Sequence, residues 1–225
     1  MLRYLFLVLT LLISAGSASS QAKEITKDEF STQYYAALDK AQSVPRRQTS
    51  REEHYQGNKI DQVQSWIYEY LPPYRHRIVY EKSAGSSSSR IEELRVEGDT
   101  YCRSDSKPWA KSSGLCIQGF IRTTTQAAFQ VTGKVSSEYT VERASVNGQA
   151  LMVYREYTKY KYTSPTNLDP EKLWFAENKY WLNPDGLIVK QEIKIGVIGS
   201  PLIKSDWVDT YDYNPSNLQI EPPIK

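Results

Sequence analysis

The chain has 225 residues, with 28 Lys and Arg against 26 Asp and Glu and a formal net charge of +2. So even a balance lacks the electrostatic footprint of a nucleic-acid or acidic-membrane binder. Two cysteines and two separated histidines, His54 and His76, are too few for a zinc site of the usual spacing. The excess lies in aromatic side chains, 17 Tyr and 5 Trp, which favour strands and half-wet surfaces.

The chain begins MLRYLFLVLTLLISAGSASS. Arg3 precedes an apolar run from Tyr4 to Ile13, and small residues follow from Ser14 to Ser20. That is the layout of a secretory signal peptide, with cleavage expected after Ala18. The apolar run is half the roughly 20 residues that span a bilayer, so no stable membrane span is expected after cleavage. Residues 19–225 read as one domain in the periplasm or outside the cell. There Cys102 and Cys116 are expected to pair, and closing so short a loop contributes about 3 kcal/mol in the chain-entropy model.

Phe30, Tyr34, Ala37, Leu38 and Ala41 recur at helical spacing and predict a helix over 27–42. Thr26 and Glu29 make a capping box, and Ile25 with Phe30 a hydrophobic staple. A lone amphipathic helix ahead of strands lies on the sheet or across its open side. Pro45 ends it. The charged RRQTSREEH segment reads as an exposed first strand, and Gln56-Gly57-Asn58 as a turn.

From Ser65 the strands are plain. Trp66, Tyr68 and Tyr70 point one way and Ile67, Glu69 and Leu71 the other. Pro72-Pro73 bends the chain. Arg75 to Glu81 is a strand, SAGSSSSR a hairpin tip, and Ile91 to Arg103 a strand with a turn or bulge at Gly98-Asp99. Ser104 to Gly119 is the loop that the disulfide staples, with Trp109 packing back onto the sheet. Phe120 to Val131 fits strand or short helix. Asn147-Gly148 joins strands Glu138 to Arg143 and Ala150 to Tyr162. After a Pro-punctuated loop from Ser164 to Pro170, Asn183-Pro184-Asp185-Gly186 joins Lys172 to Leu182 and Leu187 to Val197. In the latter, Leu187, Val189, Ile193, Ile195 and Val197 alternate with Ile188, Lys190, Glu192 and Lys194, a strand with one wet face. Gly199-Ser200-Pro201 breaks the run, and Trp207 to Tyr213 with Leu218 to Ile220 ends the sheet. The fold class is mainly β with α (α+β), an antiparallel meander that must curl or close to bury its inner face.

Catalytic patterns are absent: no G-x-S-x-G elbow, no H-E-x-x-H, no phosphate-cradling glycine loop and no D-x-[DN]-x-[DN]-G calcium loop. His54 and His76 read as rim residues. Glu92 and Glu93 face opposite sides of a strand, and Asp206 and Asp212 share a face with Asp209 opposite. No carboxylate pair converges, so neither an enzyme nor a cofactor is expected. The aromatics carry the functional reading. Trp66, Tyr68, Tyr70, Tyr80, Tyr154, Trp181, Trp207 and Tyr211 are the candidate lining of a cavity for a lipid or other hydrophobic small molecule. The alternative is a module that meets an envelope protein or glycan through an exposed aromatic surface.

Leu71-Pro72-Pro73-Tyr74-Arg75-His76-Arg77-Ile78 followed by Val96-Glu97-Gly98-Asp99-Thr100-Tyr101 resembles the bacterial lipoprotein-carrier superfamily of LolA, LolB and the LppX-like proteins. Lys179-Tyr180-Trp181-Leu182-Asn183-Pro184-Asp185-Gly186-Leu187-Ile188-Val189-Lys190 looks like the family's W-[IL]-x-x-x-[DN]-G-L-x-x-[KR] hairpin. Thr210-Tyr211-Asp212-Tyr213-Asn214 with Ile220-Glu221-Pro222-Pro223 looks like the ending of uncharacterised relatives. The resemblance implies a strongly curved, unclosed β-barrel with a helical lid that holds acyl chains. It implies that an arginine in the strand after the prolines, Arg75 or Arg77, bonds to the lid. The strands here are richer in tyrosine than the carriers', and a disulfide loop follows Cys102.

Overall fold

The computed structural model describes residues 21–114, 116–117, 133–161, 172–200 and 203–224. The expected signal peptide and the segments 120–131 and 164–170 lie outside these residues. The first elements are β1 (Lys23–Glu24), α1 (Lys27–Ala41), β2 (Arg46–Gln56), β3 (Lys59–Leu71) and β4 (Arg75–Ala84). Then come β5 (Ser87–Val96), β6 (Asp99–Ser104), β7 (Ala110–Ser112) and β8 (Gly133–Val146). The last are β9 (Gln149–Lys161), β10 (Leu173–Leu182), β11 (Ile188–Val197) and β12 (Ile203–Asp212).

All of these strands join one antiparallel sheet in the order β1-β8-β9-β10-β11-β12-β2-β3-β4-β5-β6-β7. Two meanders, β2 to β7 and β8 to β12, are sewn together where β12 pairs with β2, Asp209 opposite Ser50. Each strand's right-handed twist accumulates over so wide a sheet and curls it. The sheet stays unclosed, because β1 and β7 stand at opposite ends of the order.

The helix forms where the local signals put it. Thr26 Oγ1 accepts from the Glu29 N–H at 3.1 Å, and the Thr26 N–H donates to Glu29 Oε2 at 2.7 Å. That reciprocal box satisfies two donors that a helix start leaves unpaired. Phe30, Ala37 and Ala41 are buried. The helix rests on β8, β9 and β11, and its core partners are Tyr180, Leu182 and Ile188. The buried Tyr180 hydroxyl donates to the Phe30 carbonyl at 3.0 Å. The face that carries α1 is the inner face below.

Four details differ from the sequence reading. Ile91 to Arg103 is two strands, because Glu97 (φ 55°) and Gly98 (φ 94°) adopt left-handed conformations that turn the chain. The serine tract is mostly strand rather than tip: Ser88 pairs with Ser83, and the turn itself falls at Gly85 (φ 57°). In β11 the register shifts so that Leu182 faces Ile188 while Trp181 faces Lys190. The shift skips Val189, and Ile188 joins the helix-facing core instead of the wet side. Leu218 to Ile220 is not a strand. Asp212 accepts the Asn214 N–H at 2.9 Å, Pro215 cannot donate to a ladder, and the tail crosses the outer face. There Ile220 and Leu218 cover Leu94, Val96, Tyr101, Leu71 and Trp109. Trp109 thus does pack back on the sheet, with the Arg103 guanidinium 4.7 Å from its ring centre.

Cys102 and Cys116 are bonded, with their Cα atoms 5.8 Å apart.

Candidate functional site

Register decides which side chains share a face, because successive residues of a strand point to opposite sides. Tyr180 opposes Tyr154 on β9 and Gln191 on β11, and Gln191 opposes Asp209. Asp209 opposes Ser50, Ser50 opposes Trp66, and Trp66 opposes Tyr80. That chain of partners carries the helix-bearing inner face across seven strands. Trp66, Tyr68, Tyr70, Tyr80, Tyr154, Trp207 and Tyr211 all lie on it.

Trp181 does not. Its neighbour Tyr180 takes the inner position, so Trp181 points outward, where Lys190 Nζ sits 4.9 Å from its ring centre. Sequence reasoning chose the larger of two adjacent aromatics. The contacts of Tyr180 with the helix, a hydrogen bond about 150 residues away in sequence and ring packing on Phe30 and Tyr34, distinguish them.

The inner aromatics pack as pairs. Trp66 and Trp207 stack with ring centres 5.4 Å apart and planes 4° apart. Tyr80 tilts against Trp66 at 5.3 Å. Tyr154 stacks on Tyr180 at 5.0 Å. Tyr68 and Tyr70 lie parallel at 6.4 Å. Burial raises the Tyr68 and Tyr80 hydroxyl pKa values, so these phenols remain neutral donors at any ordinary pH.

The arginine that reaches the helix is Arg46, which sequence reading did not single out. From the first position of β2 it donates to the Ala41 carbonyl at 2.5 Å and lies 4.6 Å from the Tyr70 ring centre. It therefore adds a second donor to a last-turn carbonyl that also accepts from the Val44 N–H at 3.3 Å, while packing on an inner aromatic. Arg75 and Arg77 lie on the outer face, opposite Leu71 and Glu69. Arg75 bonds to Glu97 at 2.6 Å and to the Ile220 carbonyl of the tail at 3.5 Å. Arg77 pairs with Glu92 at 3.0 Å and Glu69 at 3.5 Å. The family-implied arginine therefore holds the outer face together, and neither residue bonds the helix.

Glu92 and Glu93 do face opposite ways, each among its own partners. Outward, Glu92 meets Arg77, Arg90 at 3.1 Å and Arg103 at 2.6 Å. Inward, Glu93 accepts from the Cys116 N–H at 2.8 Å, the Ile117 N–H at 3.1 Å and Arg95 at 2.9 Å. Burial pushes the Glu93 pKa up, but bonds from His76, the two N–H groups and Arg95 outweigh it and hold the pKa at about 2. The carboxylate thus pins the stapled loop to the inner side of β5.

His54 also faces inward. It lies 3.2 Å from Glu52 and 3.3 Å from Gln64, while Tyr80 donates to Gln64 at 3.0 Å and Ser205 to Glu52 at 3.1 Å. Asp206 and Asp212 share the outer face and Asp209 faces inward, as alternation requires. Among the described residues no three His, Cys, Asp or Glu side chains gather to hold a metal ion. No described helix is long and apolar enough to cross a membrane.

A groove of about 350 Å³ opens on the outer face at the β4–β5 tip, lined by Arg51, Ser65, Glu81, Ser83, Ser88 and Arg90 among others. It is polar and lies on the opposite side of the sheet from the aromatic candidates.

No protein-family description matches the chain, and no curated protein matches it. Among solved structures it is similar to lipoprotein LppX of Mycobacterium tuberculosis, at 10% identity and a TM-score of 0.45, covering 86% of this chain and 100% of the other. It is also similar to LprF of Mycobacterium bovis, at 9% identity and a TM-score of 0.47, covering 90% of this chain and 100% of the other.

Proposed function

We propose that the mature chain is a non-enzymatic carrier or binding protein of the periplasm or extracellular space. It holds a lipid, acyl chain or other hydrophobic ligand against the inner aromatic face, beside α1. One observation carries the reading: seven aromatic side chains from β3, β4, β9 and β12 share that face with an amphipathic helix. A surface of flat apolar bodies with a few polar tips suits an amphiphile, because the rings bury chain area while the tips fix orientation. The bonded cysteine pair fits an oxidising compartment.

A second reading has one observation in its favour. Tyr74, at the turn between β3 and β4, is 75% exposed, which suits a module that meets an envelope protein or glycan.

The test is native mass spectrometry on the mature protein from a secreting host, with organic extraction of what co-purifies. The expected result is a discrete added mass that extracts as a lipid. Uptake of a neutral fluorescent acyl probe should fall in Trp66→Ala. A clean apo mass with no probe uptake would overturn the carrier reading and favour the interaction module.

A further inference from the structure

Resting on that reading, we propose that Glu52, His54, Gln64, Tyr80 and Ser205 form the head-group end of the inner face. They select an amphiphile whose head donates hydrogen bonds and carries no negative charge.

The strip crosses four strands. Ser205 of β12 opposes His54 of β2, Glu52 opposes Gln64 of β3, and Tyr80 of β4 bonds to Gln64. It borders the Trp66–Trp207 stack directly, because Glu52 is also the cross-strand partner of Trp207. All five residues are half-buried. The strip therefore marks where the aromatic wall ends and polar chemistry begins.

The capacity left over at Glu52 is acceptor capacity. Ser205 and His54 both use Glu52 Oε1, and among the described residues no group bonds Oε2. His54 Nε2 faces both the Glu52 carboxylate and the Gln64 amide. When that nitrogen accepts from the Gln64 amide, it no longer donates to Glu52, and the carboxylate has further acceptor capacity to offer. A ligand N–H or O–H can bond Glu52 Oε2 in either tautomer.

The charge has the same sense. Glu52 is the strip's one permanent charge. A second carboxylate, Asp209, accepts the Trp207 indole N–H at 2.7 Å on the same face, so the tryptophan stack stands between two carboxylates. Indole faces add attraction for a cation. The nearest described inner-register cation, Lys82, is the cross-strand partner of Gln64, but it is exposed and lines the outer groove. Arg46 is at the other end of β2, bonded to the helix. A phosphate or carboxylate head placed beside Glu52 meets like charge, whereas an ammonium or a hydroxylated head meets acceptors.

The experiment compares three dodecyl amphiphiles at neutral pH and below their aggregation thresholds: dodecylamine, monododecanoylglycerol and dodecanoate. Binding to the mature protein is read by tryptophan fluorescence and native mass spectrometry. A charge-assisted hydrogen bond makes the amine, the glyceride or both bind about tenfold or more tighter than dodecanoate. A preference for the amine alone identifies an ammonium head, and equal binding of amine and glyceride shows that neutral donors suffice. Glu52→Gln should erase the discrimination against dodecanoate while keeping chain binding. Gln64→Ala, which leaves the carboxylate in place, is the second variant should the first fail to fold. Equal affinity for all three, or dodecanoate tightest, overturns the head-group assignment and leaves the carrier reading standing. Binding of none of them overturns the carrier reading itself.

Discussion

Glu93 shows how one side chain ties the cross-link to the sheet. It is 1% exposed, and its carboxylate bonds the N–H groups of Cys116 and Ile117. Burial alone would favour the protonated acid, but the donors around it hold its pKa at about 2, below the ordinary 4.5. A folded-state pKa below the unfolded one stabilises the fold above the unfolded value, and that contribution disappears as pH falls from about 5 towards 2. Its size is about 3 kcal/mol at neutral pH. Glu93→Gln should lose roughly that much in urea unfolding at neutral pH, and its stability should vary less than the wild type's between pH 5 and 2. Parallel pH profiles for the two proteins would remove Glu93 from this role. Strand alternation shows from sequence that Glu92 and Glu93 point opposite ways. It does not show which one is pinned by backbone donors, because those come from a loop about 23 residues away whose position depends on the disulfide.

At the scale of elements, the helix was legible because its signals are local. The capping box, the staple and the apolar stripe all lie within residues 25–41, and the structure keeps each of them. Thr26→Ala should cost about 1 kcal/mol, measured as a lower denaturation midpoint with an unchanged slope. A change within error would mean that tertiary docking alone holds the helix start. How the helix docks was not legible. Tyr180 and Arg46 bond to helix carbonyls from β10 and β2, and nothing in their immediate neighbours distinguishes them from Trp181 or Arg47. Choosing Trp181 needed only a one-residue error of parity, which inverts the face of a side chain in a strand. Arg75 and Arg77 share the wrong parity for a helix contact, since both oppose outward residues of β3. The skipped Val189 is a similar case, a bulge that the alternating apolar pattern concealed.

The whole molecule covers its single sheet from both sides with short pieces of chain. Helix α1 covers part of the inner face, and the tail after Asp212 covers part of the outer one. The strands at the ends of the sheet, β1 and β7, are two and three residues long, and edges so short offer little template for pairing with another chain. This two-sided arrangement puts the core under the tail and the proposed binding face on opposite sides of the sheet. Ile220 is 1% exposed against Leu94, Val96 and Tyr101, while Trp66 and Trp207 stand on the opposite side of the sheet. Removing three buried carbons from Ile220 leaves a cavity beneath the tail that β5 and β6, paired on both sides, cannot collapse to fill. Ile220→Ala should therefore cost about 3 kcal/mol in urea unfolding, yet leave acyl-probe affinity unchanged under native conditions. Trp66→Ala should lower probe affinity through the inner face. If Ile220→Ala weakened probe binding as much as Trp66→Ala does, the two faces would be coupled through the sheet, and the tail would have to be counted as part of the binding site.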